Sequence, residues 1–243
     1  MVETKALIKA SLDAGRDLLR PPTESDHSAS ASKVPPVLVP IRSLGSNHRE
    51  RIARHLLDLD EHDRYLRFGY AATDEQIRRY ADGLNFERDE IFGIYNRRLE
   101  LIAMAHLAFS EGSMVDACAE FGVSVSKVAR GRGYGARLFD RAAMHARNEG
   151  VNRMLIHALS ENTAMLKIAR NAGATVERDG SESEALLHLP PATLDTRLSE
   201  LVAEQMAQTD YQIKVQVKQF WDVMAEVQAI RRDALNAQQI TPK

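Results

Sequence analysis

A single cysteine, Cys118, stands in a chain of 243 residues. No internal disulfide framework and no cluster of thiolate metal ligands can be built from it, which points to a reducing compartment and a cytoplasmic protein. Excess charge is equally scarce: 32 Lys and Arg against 34 Asp and Glu leave −2 with histidine neutral. Such a balance gives no global pull toward nucleic acid or an anionic membrane, and neither is expected as a partner. No apolar run approaches the roughly 20 residues that a spanning helix needs. The fairly apolar N-terminus is interrupted by Glu3 and Asp13 and lacks a signal-type apolar block, so residues 1–19 read as an amphipathic helix.

What is present falls into regions. Residues 20–36, RPPTESDHSASASKVPP, are rich in Pro and Ser and mark a flexible linker. Strand and helix signals alternate through residues 37–189, and residues 190–243 show helical periodicity alone. Within the middle region, residues 37–41 predict a short strand. Ser46 can cap a helix with apolar positions Ile52, Leu56 and Leu59. Thr73-Asp74-Glu75-Gln76 is a capping-box pattern that opens another helix. Residues 91–95 and 99–109 flank Asn96-Arg97-Arg98 and predict an antiparallel hairpin. A strand over 118–125, a glycine loop, a helix to Glu149, a strand over 153–159 and a helix over 162–172 follow. Strands at 174–177 and 185–189 close the region. The class is mixed α/β, with antiparallel strands first and a βαβ unit near the centre.

The glycine loop carries most of the functional information. Arg130-Gly131-Arg132-Gly133-Tyr134-Gly135-Ala136 lies between an apolar strand and a helix whose buried face holds Leu138, Phe139, Ala142, Ala143 and Ala146. Alternating glycines let several backbone N–H groups point at one spot, and the helix start adds partial positive charge, which makes a phosphate cradle. A ligand-free tight turn is the plain alternative. A Rossmann loop also fits Gly131-x-Gly133-x-x-Ala136, but it needs further βαβ units for which too little chain remains. An Arg-Gly contact to RNA lacks the surrounding aromatic-interleaved basic run.

Arg130-x-x-Gly133-x-Gly135-Ala136 resembles the (Gln/Arg)-x-x-Gly-x-(Gly/Ala) signature of GNAT N-acetyltransferases, with the family's strands, helix and Asn following in order as far as Asn162. The resemblance spans residues 37–189 and implies a mixed sheet whose two middle strands splay apart to admit the pantetheine arm of acetyl-CoA. By the same resemblance, backbone groups of Val123, Ser124 and Val125 pair with the pantetheine amides. The N–H groups of Gly131, Arg132, Gly133, Tyr134, Gly135 and Ala136 bind the pyrophosphate, Arg130 and Arg132 add charge, and Asn162 contacts the pantetheine. No metal is implied.

Transfer to an amine with a pKa of about 10.4 calls for a base, because the nucleophile must be neutral. Strand alternation places Phe121, Val123 and Val125 on one face and Glu120, Ser124 and Ser126 on the other, so Glu120 stands on the polar side near the divergence. Glu120 resembles the glutamate base of histone-type members; otherwise it is a salt-bridged strand-end carboxylate. His157, five residues before Asn162, stands at the spacing of the base in ribosomal-protein-type members; otherwise it is a half-buried structural histidine. The position of the family's thiolate-protonating tyrosine holds Ala169, a departure that leaves a catalytically silent acyl-CoA-binding or protein-interaction module as the alternative to an enzyme. His106 reads as a satisfied core histidine and Cys118 as a strand-packing residue.

The segment Asp63-Arg64-Tyr65-Leu66-Arg67-Phe68 resembles the acceptor-side segment of bacterial protein-lysine acetyltransferase domains, which favours a lysine or another primary amine. In the C-terminal region, Leu194, Leu198 and Leu201, then Val217, Phe220, Met224 and Val227 beside Trp221, make an apolar stripe. Its spacing suits helix–helix packing, either back onto the domain or in a homodimer.

Overall fold

In the computed structural model, residues 39–110 and 118–239 are described; the expected N-terminal helix and linker lie outside them. The period-2 segments assemble into one sheet of seven strands in the order β1-β2-β3-β4-β5-β7-β6. These are Arg42–Ser43 (β1), Glu90–Tyr95 (β2), Leu101–Phe109 (β3), Cys118–Val125 (β4), Arg153–Leu159 (β5), Thr175–Asp179 (β6) and Glu182–His188 (β7). Only the β4–β5 pair is parallel; every other neighbouring pair is antiparallel. Helices Arg49–Leu57 (α1), Glu61–Phe68 (α2) and Asp74–Asp82 (α3) precede β2. Tyr134–Asn148 (α4) and Thr163–Asn171 (α5) flank β5, and Leu194–Gln239 (α6) ends the described chain. Among the described residues no helix is long and apolar enough to cross a membrane.

Local chemistry accounts for most boundaries. Thr73 caps α3 through the predicted capping box: Gln76 N–H donates to Thr73 Oγ1 at 3.3 Å, and Thr73 N–H donates to Gln76 Oε1 at 2.9 Å. Such a cap is worth about 1 kcal/mol. Several boundaries differ from the sequence reading: Ser46 caps no helix, since α1 starts only at Arg49 after a short 3-10 turn, and the strand expected at 185–189 is Glu182–His188. Of the strand expected at 37–41, residues 37 and 38 lie outside the described residues and 39–41 are not strand; β1 begins at Arg42, after Pro40, which has no N–H to give a ladder. The second hairpin strand starts at Leu101, because Leu99 takes a left-handed φ of 62°. Asn96 pins that turn by accepting from the N–H groups of Arg98 and Glu100 at 2.8 and 3.0 Å. The segment Asp63–Phe68 lies within a helix, α2, capped by Asp60 and stopped by Gly69 at φ 79°.

Two hydrophobic layers sandwich the sheet. Phe92, Ala105, Leu107, Phe121, Met154 and Ile156 pack against Leu138, Phe139 and Ala142 of α4 and Met165 of α5, with Phe121 and Phe139 edge to face at 5.1 Å. On the other face Ile91, Tyr95 and Met104 pack against Ile52 and Leu56 of α1 and Ile77 of α3. Each fully buried large side chain contributes about 1.5–3 kcal/mol.

Helix α6 runs for 46 residues, about 69 Å at 1.5 Å per residue. Its first half lies on the domain through a polar face rather than through the predicted apolar stripe. Buried Arg141 donates to Glu204 at 3.0 Å, and Arg42 donates to Gln208 at 2.9 Å while lying 3.8 Å over the Tyr211 ring. His145 Nδ1 meets Glu200 Oε1 at 2.7 Å. Burial alone would lower the His145 pKa, but the bond and charge of Glu200, with Glu90 nearby, outweigh it and raise it above the ordinary value.

This pair gives α6 a pH-dependent seat. A histidine whose folded pKa is raised contributes stability that is complete below its unfolded pKa of about 6.5 and is lost as pH rises through the folded value. Glu200, held below the usual carboxylate range because its bonds to His145 and Asn148 outweigh burial, stays ionised at pH 5.5. The gap in unfolding free energy between the native chain and His145→Gln, followed by circular dichroism in urea, should therefore be wider at pH 5.5 than at pH 9. An equal gap at both would exclude a role for His145 charge.

Candidate functional site

The site is built around an interrupted ladder. Strand β4 pairs with β3 along its whole length, from Phe109–Ala119 to Ala103–Val125. On its other side it pairs with β5 only at Cys118–Arg153, Ala119–Met154 and Glu120–Leu155. Beyond Glu120 and Leu155 the two strands part, and a cleft of about 610 Å³ opens between them. One edge of β4, from Phe121 to Val125, is therefore without a strand partner and can bond something extended, although the Val125 carbonyl accepts from Arg130 Nε at 3.4 Å.

The glycine loop lies directly after this edge. Gly131 and Gly133 adopt φ of +73° and +74°, with open space where a Cβ would stand. That conformation favours glycine, and α4 starts immediately after it, with no side-chain cap and no acidic residue in its first turn. Among the described residues no backbone carbonyl accepts from the N–H groups of residues 131–136. The loop thus offers several unbonded backbone donors beside a helix start, an arrangement able to hold an anion. The third glycine, Gly135, serves packing instead: a Cβ there would meet Ile168 Cδ1 at 3.2 Å.

The predicted side chains are distributed unevenly around this geometry. Val123 and Val125 pack into the α4 layer. Ser124 is buried on the opposite face, where its hydroxyl donates to His55 Nε2 at 2.9 Å; the carbonyl of Leu101, an acceptor, fixes the proton on His55 Nδ1 at 3.0 Å. Burial pushes His55 down to about 4, so it is neutral at physiological pH. Arg130 forms an ion pair with buried Asp63 of α2, whereas Arg132 is exposed at the cradle with no ion pair among the described residues. Tyr134 is half-buried at the helix start and packs toward the core. Asn162 caps α5 by accepting from Met165 N–H at 3.1 Å, and its side chain also borders the cleft.

Glu120 and His157 both line the cleft and are both exposed. Glu120 stands at the last β4–β5 pair, at the base of the fork. His157 is not the half-buried histidine the sequence suggested: its side chain is 53% exposed and lies 3.8 Å from Glu184. Ala169 is fully buried, with no polar atom to offer.

One constellation was not found from sequence. Arg67 of α2 lies against Gly122 of β4 so closely that a Cβ on Gly122 would be 2.7 Å from the guanidinium carbon. Its Nη2 donates to the Tyr80 hydroxyl at 2.9 Å. Tyr80 donates to His106 Nδ1 at 2.7 Å, and His106 Nε2 donates to Asp89 at 3.2 Å. Burial lowers the His106 pKa despite the neighbouring carboxylate, consistent with a neutral ring that accepts on one nitrogen and donates on the other. Burial would raise the Asp89 pKa, but bonds from Arg88, His106 and Phe109 N–H hold it low. His106 is thus satisfied on both nitrogens, as the sequence suggested, yet it also steadies Arg67 on the cleft wall. Arg67, Tyr80, Asp89 and His106 come from four elements or loops, and no local pattern joins them.

Comparison with known proteins matches this geometry. The model of the acetyltransferase (GNAT) family matches residues 53–174, half of the chain. The crystal structure of the GNAT domain of S. lividans PAT is similar at 21% identity and a TM-score of 0.53, covering 63% of this chain and 95% of that one. An acetyltransferase of the GNAT family from Streptococcus pneumoniae is similar at 10% identity and a TM-score of 0.50, covering 62% and 98%. A spermidine N-acetyltransferase from Vibrio cholerae, solved with CoA and spermine, is similar at 16% identity and a TM-score of 0.50, covering 62% and 95%. At these identities the structures speak for the fold. No curated protein matches the sequence.

Proposed function

Because the chain belongs to the GNAT acetyltransferase family, we propose that it is an acetyl-CoA-dependent N-acetyltransferase acting on a primary amine, either a protein lysine or a small amine. The observation that carries this reading is the parting of β4 from β5 after Glu120, immediately before an unbonded glycine cradle. Acetyl-CoA, when bound, supplies an acetyl group activated as a thioester. Backbone groups of Val123, Ser124 and Val125 would hold the pantetheine amides. The N–H groups of Gly131, Arg132, Gly133, Tyr134, Gly135 and Ala136 would hold the pyrophosphate, with charge from Arg132 and, shared with Asp63, from Arg130. Asn162 accepts from Met165 N–H as a helix cap and donates from its amide nitrogen to the Leu66 carbonyl at 3.5 Å, which leaves one amide N–H for the pantetheine. The acetyltransferase domain is assigned to residues 37–189, in a cytoplasmic protein.

Glu120 is the preferred base. It is exposed in the cleft at the base of the fork, where an ammonium can surrender its proton before attack. His157 is the second candidate, farther along β5. Since Ala169 replaces the family's tyrosine, the leaving thiolate departs without that acid, which a thiol pKa of about 8.5 permits. A homodimer through α6 completes the reading. The apolar stripe of Leu194, Leu198, Leu201, Val217, Phe220, Met224 and Val227 is exposed along the helix.

Three measurements test these assignments. Isothermal titration with CoA should give a saturable site in the native chain and none in Gly133→Asp, which puts a side chain and a negative charge into the cradle; unchanged affinity would remove the basis for the cofactor assignment. Thiol release across a panel of amines should fall about 10²–10³-fold in Glu120→Gln with CoA affinity retained, and less in His157→Gln. The reverse order moves the base to His157, and CoA binding without turnover on any amine favours the silent module. In sedimentation velocity the native chain should run as a dimer and Phe220→Glu/Met224→Glu as a monomer, while a monomeric native chain would dismiss the α6 interface.

A further inference from the structure

A second concavity, of about 690 Å³, shares no lining residue with the cleft between β4 and β5. Its walls come from the far half of α1, the β2–β3 turn, the Ser126–Lys127–Val128 segment and α6. Five cations border it: Arg51, Arg54, Arg98, Lys127 and Lys218, against two carboxylates, Asp58 and Glu100. The chain as a whole is net negative, so this excess is a local feature, and like charges gathered in one hollow repel one another unless an anion joins them.

The cations are not consumed by the fold. Among the described residues Arg54, Arg98 and Lys218 form no ion pair, and Lys127 reaches only exposed Asp60 at 3.5 Å. Arg51 is steadied by a 2.6 Å bond to the Tyr211 hydroxyl. Arg98 is set by a rigid turn, in which Asn96 accepts from two N–H groups and Leu99 is held left-handed. A non-glycine residue in that conformation is strained and is often kept where it positions something. Leu99, Leu101, Ile102 and Val128 supply apolar wall beside the charges.

Guanidinium forks match phosphate oxygens two at a time, and the volume lies within the range of small-molecule sites, about 300–1,000 Å³. Cations and aliphatic side chains in one lining suit a ligand that carries both phosphates and an apolar body. We propose that this cleft is a binding site for a phosphorylated small molecule of nucleotide size, separate from the glycine cradle.

ATP and inorganic tripolyphosphate are the probes. Isothermal titration of the full chain should show ATP binding that persists in Gly133→Asp, with tripolyphosphate weaker than ATP because it leaves the apolar wall empty. The double variant Arg54→Ala/Arg98→Ala, both exposed positions, should weaken ATP at least about tenfold with an unchanged melting temperature. Four results would overturn the site: no ATP binding to the native chain, equal affinity in the double variant, loss of ATP binding in Gly133→Asp, or strict competition by CoA in the native chain. The last two would return the binding to the cradle. A hexaglutamate peptide that binds more tightly than ATP would also overturn it, in favour of an acidic protein segment.

Discussion

Everything in this molecule that bears on chemistry follows from a ladder that stops too soon. Strands β4 and β5 make three register pairs and then part, although each has several residues left. Unpaired backbone groups away from water cost free energy, so the fork persists only because both strands are secured elsewhere. β3 holds β4 to its last residue, and β7 holds β5 from Arg153 to Leu159. The same parting creates the cleft, exposes the β4 edge and puts Glu120 at the point of divergence.

Helix α2 acts as the wedge's keeper. From its N-terminal half, Asp63 reaches the glycine loop through Arg130; from its C-terminal half, Arg67 rests on Gly122. One short helix thus touches both the anion cradle and the strand that leads into it. The half-buried chain from Arg67 through Tyr80 and His106 to buried Asp89 fixes its approach, since each member has a hydrogen-bond partner.

Local signals in the sequence were reliable where the physics is local. The capping box at Thr73 and the strands at 118–125 and 153–159 are seen as read, because caps and period-2 alternation depend on a few neighbours. The glycine loop was legible for the same reason: its two φ-positive positions, 131 and 133, announce themselves as glycines. Helix α2 was harder, since its amphipathic segment is short and its cap, Asp60, is followed by charged residues. The Arg67–Asp89 network was out of reach, being joined only by the fold. The C-terminal stripe was read correctly as apolar, but the helix rests on the domain through its polar side, where Arg141 and His145 meet Glu200 and Glu204. Periodicity identifies a face; it does not say which face the domain takes.

The position of the single tryptophan has a practical meaning. Trp221 is the only one in the chain, and it lies 64% exposed on α6, within a run from residue 216 to 228 in which every residue is exposed. The α/β body therefore has no indole of its own. Emission excited selectively at the red edge of the indole band is a beacon for the far half of one helix and for whatever covers it. A denaturation curve followed by that light traces the fate of α6, while the collapse of the sheet and its two cores passes without a colour change.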